Sequence, residues 1–290
     1  MKTKVSKNRR TFLIINFIFM TFIVFVTLYP FVYLIAQSFS SDKAVAAGLV
    51  SFYPIDFTVS TYKYVLKKAE FYQYYGNTIF YGVIGTIISV IGTAILAYPL
   101  SKNKLRLNKF FIPFCIFTMY FAGGMIPNYI LIAKWLHLRD SIFAILLPGA
   151  ISTFNLLLMK SFFAGLPEEL EEAAAIDGMD TYSIFVKIII PLSKPIIATM
   201  CLFYLVGLWN EWFTPFLYLD SKGKWPIALW VRQLVEGANN VDVGSGAEES
   251  QITATIKSTT MVLTSLPIIC VYPFVQKYFV QGMTMGAVKG

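Results

Sequence analysis

Residues Gly165–Pro195 read GLPEELEEAAAIDGMDTYSIFVKIIIPLSKP, the one long acidic interruption in an otherwise apolar and basic chain. Local chemistry makes this two short helices around a turn. Pro167 suits a first helical position, and Glu168, Glu169, Glu171 and Glu172 crowd the first turns, where the positive end of the helix dipole favours anions. Ala173, Ala174 and Ala175 continue the helix with high propensity. Gly178 fits the position just past a helix end, where a residue without Cβ turns left-handed cheaply, and Asp180 caps the helix that follows. That second helix is expected to stop at Pro191. Its Tyr182, Phe185, Ile188 and Ile189 recur at helical spacing. Leu170, Ala173, Ala174 and Asp177 make a slim, mostly small-residue face on the first helix, where another backbone can come close. Read alone, the stretch is an amphipathic helical hairpin lying on a membrane.

The rest of the chain supplies the membrane. Hydrophobic residues make up 57% of the 290 positions and charged residues only 14%, against about 25% charged in an ordinary soluble domain. The apolar content comes in long blocks that leave little for a soluble core, so the expected fold class is an all-α integral membrane protein. The net charge of +8 sits beside apolar spans without an arginine-rich or aromatic-interleaved patch, which argues for orientation in a bilayer and against nucleic acid. Cys115, Cys201 and Cys270 lie inside apolar blocks without CxxC spacing, so neither a disulfide framework nor a zinc site is expected. A membrane enzyme needs converging nucleophiles, bases or metal ligands. This chain has a single histidine, His137, read as a surface residue, and no HExxH. No catalytic, cofactor-binding or metal residue is therefore expected. Gly244-Ser245-Gly246 lacks the P-loop spacing, and that spacing occurs nowhere else.

Taken in order, residues 1–11 form a basic tail with Lys2, Lys4, Lys7, Arg9 and Arg10, expected to be cytoplasmic. The apolar block at 12–36 exceeds a signal-peptide core and is read as a retained first span. Residues 37–76 suit an external loop with a short amphipathic helix around Tyr62–Tyr75. The second span, 77–100, carries Gly82, Gly85, Ser89, Gly92 and Ala97 on a thin face that another helix can approach. Lys102, Lys104, Arg106 and Lys109 mark the next turn as cytoplasmic. The third span, 110–133, is broken by Gly123-Gly124 and Pro127, as a plain kink or as a break facing protein or a cavity. A fourth span at 141–163 returns the chain to the cytoplasm, where the hairpin 165–195 emerges. The fifth, 196–219, ends with Leu208-Trp209-Asn210-Glu211-Trp212. Glu211 is either a functional carboxylate near membrane depth or a group reaching headgroups beside an aromatic belt. Residues 220–258 read as a flexible external loop, 259–280 as the sixth span and 281–290 as a cytoplasmic tail.

One pattern within the hairpin is more particular. Glu172-Ala173-Ala174, Gly178, Ile188, Ile190 and Pro191 resemble the EAA signature of permease subunits of ATP-binding-cassette importers, E-A-A-x3-G-x9-I-x-L-P. Ile190 replaces the usual leucine, a change of shape and not of polarity. Phe121–Pro127 is similar to a pattern in a branch of sugar permeases associated with complex oligosaccharides. Trp-Asn-x-Trp late in the fifth span is likewise common in sugar permeases. The resemblance, which extends over almost the whole chain, implies six transmembrane helices in a type I importer bundle of the maltose-transporter kind. It implies a second homologous permease, two ATPase subunits binding ATP and Mg, an extracellular solute-binding protein, and a carbohydrate substrate. It assigns ATPase coupling to Glu172, Ala173, Ala174, Asp177, Gly178 and Pro191. A substrate path by Tyr120, Trp209, Asn210 and Glu211 is expected, with belt and packing roles as the other reading. The 220–258 loop either meets the binding protein, with Lys222, Lys224, Arg232, Glu248 and Glu249 as docking charges, or is a mere connector. The competing function is an ion-coupled carrier or channel, for which only Glu211 offers an intramembrane titratable group.

Overall fold

A segment surrounded by lipid must satisfy its backbone hydrogen bonds internally, and this chain does so with helices. The computed structural model describes residues 7–102, 108–239, 255–271 and 273, and every regular element among them is helical. In chain order these are α1 (Lys7–Ser38), α2 (Asp42–Ala46), α3 (Ser60–Lys67), α4 (Ala69–Ser101), α5 (Asn108–Tyr120) and α6 (Met125–Trp135). There follow α7 (Phe143–Leu146), α8 (Thr153–Phe163), α9 (Glu169–Ile176), α10 (Thr181–Leu192), α11 (Lys194–Asn210), α12 (Phe213–Tyr218), α13 (Ile227–Asn239) and α14 (Thr255–Val271).

Among the described residues, two unbroken helices are long and apolar enough to span a bilayer, one inside α1 and the other α4. Two bent pairs qualify if each counts as one broken span: α5 with α6, turned by 108°, and α10 with α11, turned by 81°. The break after α5 is thus far more than a kink. Gly124 at φ +89° takes a backbone conformation that a side chain would oppose. Residues 141–163, read as one continuous span, are instead divided between α7 and α8 around Pro148 and Gly149. Pro148 lacks the N–H that a continuous helix needs there. The fifth expected span is divided too, since α11 ends at Asn210 and α12 begins at Phe213. The amphipathic stretch around Tyr62–Tyr75 is shared between α3 and the first turns of α4. Residues 1–6, Lys104, Arg106, 240–254, the end of the expected sixth span at 274–280 and the tail at 281–290 lie outside the described residues.

The chain divides into two units, residues 1–69 with 231–265 and residues 70–230 with 266–290. In the first unit, Ala36, Ala44, Val45 and Val50 form a small core. Ser40 Oγ donates to the Ala36 carbonyl and accepts from Ile55 N–H, at 2.7 and 3.0 Å. Ser258 Oγ donates to Gln37 Oε1 at 2.7 Å, which ties α14 to the end of α1.

The second unit has a larger core, in which Val90 and Ala97 of α4 meet Met159 and Phe163 of α8 and Ile196 and Met200 of α11. The small residues of α4 are what let it close on its neighbours. A Cβ added at Gly85 would lie 2.6 Å from Leu208 Cδ1 and 3.1 Å from Leu146 Cδ2; one at Gly82 would lie 3.0 Å from Leu205 Cδ1. The thin face of the second span is therefore a packing face.

Candidate coupling hairpin and cavity

The acidic hairpin consists of α9, a turn at residues 177–180, and α10. Met179 N–H donates to the Ala174 carbonyl and Gly178 N–H to that of Ala175, at 3.0 and 3.1 Å. This crossed pair closes α9 as a Schellman motif, with Gly178 left-handed at φ +83°. Asp180 then caps α10, its carboxylate accepting from Tyr182 and Ser183 N–H at 3.2 and 3.4 Å. Hydrogen bonds from Ser183 hold that carboxyl below its ordinary range.

Glu172, Ala173, Asp177 and Gly178 are exposed, and Ile176 beside them is 86% exposed. Ala174, expected to touch the ATPase, is only 5% exposed and belongs to its own subunit's core, with Ile184 and Ile189 of α10. It supports the exposed face from behind. Of the expected face on α10, Phe185, Ile188 and Ile189 pack in the core together with Ile184, and only Tyr182 points outward. Pro167 lies ahead of α9, which starts at Glu169. Pro191 does not stop α10. Residues Phe185–Ile189 widen into a π-helix and the chain winds on to Leu192 before the bend into α11. The wider turn makes room where the proline ring would meet the carbonyl of Lys187.

Behind the hairpin, the Glu171 side chain turns inward to Tyr98 and Lys102 at the end of α4. The sequence reading did not single out this residue.

A cavity of about 840 Å³ opens beside α11. Its walls are mostly apolar, from Phe154, Leu202, Phe203, Val206 and Leu208, with polar groups at Ser152, Asn155, Tyr204, Glu211 and Thr214. An apolar cavity with few convergent polar groups is the usual form of a small-molecule site. The Tyr204 hydroxyl lies 2.6 Å from Thr93 Oγ1 of α4 and accepts Ser152 N–H at 3.1 Å. One phenol thus joins α4, α11 and the backbone freed by the α7–α8 break. Neither Tyr204 nor Asn155 was expected from the sequence; a tyrosine isolated in an apolar helix was the signal for the first.

The four expected path residues separate. Glu211 lines the cavity, and its Oε1 accepts Phe213 and Thr214 N–H at 3.0 and 2.9 Å, so it caps α12. Asn210 is exposed and donates its amide to the Val206 carbonyl at 2.9 Å. Trp209 is buried edge-on against Tyr75, centroids 5.7 Å apart. Tyr120 is exposed at the end of α5 and does not line the cavity.

Within the segment read as a flexible loop, residues 220–239 hold a turn at Lys222–Lys224 and the helix α13. Arg139 donates to both carboxylate oxygens of Asp220 at 2.9 Å. Asp140 accepts from Ser221 Oγ and Lys224 Nζ, each at 2.7 Å, and these partners hold its carboxyl far below the usual carboxylate range. Asn77 donates to the Gly223 and Trp225 carbonyls, and Tyr81 to that of Lys224, at 2.8, 3.0 and 2.7 Å. Lys224 is thus committed within the chain, and Arg232 pairs with Glu236 on α13. Glu248 and Glu249 lie outside the described residues.

The sequence profile of a family described as binding-protein-dependent transport system inner membrane component matches residues 96–285. The chain belongs to that family. Among its relatives, Protein LplC of Bacillus subtilis is 41% identical over 289 residues, covering 98% of this chain and 97% of LplC. The polygalacturonan/rhamnogalacturonan transport system permease protein YtcP of the same organism is 38% identical, covering 98% and 100%. A chain in the crystal structure of a bacterial ABC transporter involved in the import of the acidic polysaccharide alginate is 35% identical, with a TM-score of 0.85 over 95% of this chain and 99% of that one. A further chain, from a bacterial alginate ABC transporter in complex with an alginate pentasaccharide-bound periplasmic protein, is 14% identical at a TM-score of 0.55 and shares the fold. This family member is a membrane-embedded permease component with an all-α permease fold.

Proposed function

We propose that this chain is one of two permease subunits through which an ATP-driven importer moves an oligosaccharide across the bacterial cytoplasmic membrane by alternating access. The observation that carries the reading is a shared core. Ala174, Ile184 and Ile189 of the hairpin pack in one cluster with Met200 and Tyr204 of α11, and Tyr204 also lines the cavity. A packed interior shifts between discrete arrangements and does not deform continuously. Movement of the hairpin therefore reaches the cavity.

In this reading two ABC ATPase subunits bind ATP and Mg, and one receives Glu172, Ala173, Asp177, Gly178 and Ile176. Ala174 and Pro191 shape the hairpin. A solute-binding protein delivers the cargo outside, and a second, homologous permease completes the path. Each partner biases the two states only by its differential affinity for them. The cargo class is supported by the relatives named for polygalacturonan, rhamnogalacturonan and alginate. Glu211, Asn155 and Tyr204 are the groups of this subunit nearest that cargo, with Asn210, Trp209 and Tyr120 kept as neighbours to test. The six-span topology, cytoplasmic termini and external 220–258 segment rest on the basic clusters at Lys2–Arg10 and Lys102–Lys109. For an ion-coupled carrier Glu211 would be the carrying group, whereas its Oε1 is taken by two backbone donors as the cap of α12.

The test is uptake of fluorescent oligogalacturonate and oligoalginate into liposomes carrying the complex purified through a tag on this chain. Uptake that requires enclosed ATP is expected, together with its loss in Gly178→Leu while that variant still inserts. A Cβ at Gly178 meets nothing within 4 Å in this subunit, so the left-handed strain, on the order of 1 kcal/mol, and a clash in the ATPase cleft are what remain. Uptake driven by an ion gradient without ATP would refute the reading.

A further inference from the structure

Adjacent glutamates on α9 differ in exposure. Glu172 is exposed, while the Glu171 side chain is 17% exposed and the Lys102 side chain paired with it 26%. Tyr98 donates its hydroxyl to Glu171 Oε2 at 3.1 Å, and Lys102 Nζ pairs with Oε1. The Lys102 ammonium also stands 5.0 Å from the centre of the Tyr98 ring. That ring packs on Phe185 of α10 and Phe163 of α8, with centroids 4.9 and 6.3 Å apart. Asn108 secures the end of α4 by donating to the Leu100 and Lys102 carbonyls at 3.2 and 2.6 Å.

We propose that Glu171 is a positioning residue that locks α9 to the end of α4, so that displacement of the hairpin is delivered along α4 to the cavity. The proposal rests on the ATP-driven reading above. Ala174 also joins α9 to its own subunit, but an apolar contact of that kind is non-directional. A charge-assisted bond at two points is directional, and at low exposure it is harder to break than a surface pair. The far end of the lever is defined as well. Thr93 of α4 meets Tyr204 in the cavity wall, and Gly85 lies against Leu208. Glu171 thus acts toward this subunit's own helix, on the covered side of α9.

The test uses a reporter cysteine at Gly207, which lines the cavity and where an added Cβ meets nothing within 4 Å. Cys115, Cys201 and Cys270 are replaced by alanine, and the complex is purified with its ATPase. Labelling of Gly207→Cys by a polar maleimide is timed with and without ATP, Mg and vanadate, which traps the closed ATPase. In this parent the rate is expected to change about fivefold or more. In Glu171→Gln and Lys102→Met the change should fall below about twofold, with ATPase copurification undiminished. Lys102→Arg should keep the response, and the exchanged pair Lys102→Glu with Glu171→Lys should recover most of it, since the Tyr98 hydroxyl can accept as readily as donate. A merely structural residue would reduce copurification and yield together and would not be rescued by exchange. A full response in Glu171→Gln, or loss of the ATPase from both single variants, would overturn the assignment. No response in the parent would overturn the ATP-driven reading and this inference with it.

Discussion

The spans within α1 and α4 have nearly the same length, 31 and 33 residues, and each holds a long apolar stretch, yet none of the first stretch is buried in the subunit and 44% of the second is. Hydropathy therefore reports the solvent a helix tolerates and not the neighbour it keeps. The difference lies in size and hydroxyls. Between Phe12 and Tyr33, α1 has neither glycine nor alanine, and its Thr27 hydroxyl is spent on the Ile23 carbonyl of its own turn. The glycines and threonines of α4 admit α11 closely and bond across to it. Without a hydrophobic drive between helices in lipid, close packing and such bonds decide association.

The comparison breaks most readily at Gly85. Gly85→Leu must push Leu208 and Leu146 aside and is expected to cost about 3 kcal/mol or prevent folding, read as the thermal midpoint in detergent. The same bulk added on α1, as in Thr21→Leu, should leave the midpoint unchanged; equal losses would show that small residues do not distinguish the two helices. Next, Tyr204→Phe removes the partner of Thr93 and of Ser152 N–H and should cost about 1–3 kcal/mol. An unaltered midpoint would mean that α4 is held by shape alone.

Asp140 sharpens the picture at the other end of α4, through the Lys222–Trp225 segment that Asn77 and Tyr81 grip. Its folded pKa is lowered, so its stabilisation is present above the unfolded value of about 3.9 and is lost as pH falls below it. Asp140→Asn should therefore lower the midpoint at pH 7 by about 1 kcal/mol in stability, and the difference should close only below about pH 4. A difference that disappears between pH 8 and 6 would exclude Asp140 as its source. The smallest effect is expected for Phe19→Ala on α1, within about 0.5 kcal/mol in the isolated subunit. A larger effect in the assembled complex alone would reveal a partner on α1.

The hairpin turn was legible because everything that makes it is local. Gly178, Met179 and Asp180 bond to groups within five residues. The division of the fourth span was equally visible in Pro148-Gly149, but reading 141–163 as one apolar block averaged over it. The order in 220–239 was not legible. Its lysines and glycines look like a solvated loop until Asn77 and Asp140, far away in the chain, supply the acceptors and donors. The choice between Glu171 and Glu172 was hidden for a related reason. Helical phase separates the two faces but does not say which one will be covered.

The sequence alone determined residence in a membrane, helices as the means of crossing, and a capped acidic hairpin carrying the signature of its family. Those properties follow from composition and from bonds spanning a few residues. Only the tertiary structure decided that Ala174 faces inward, that Trp209 is packed while Glu211 lines a cavity, and that Glu171 clasps α4. Each of these depends on partners brought together from distant parts of the chain, as Tyr98 with Glu171 and Thr93 with Tyr204. Close packing selects such pairs by shape across the whole fold, which no local pattern encodes.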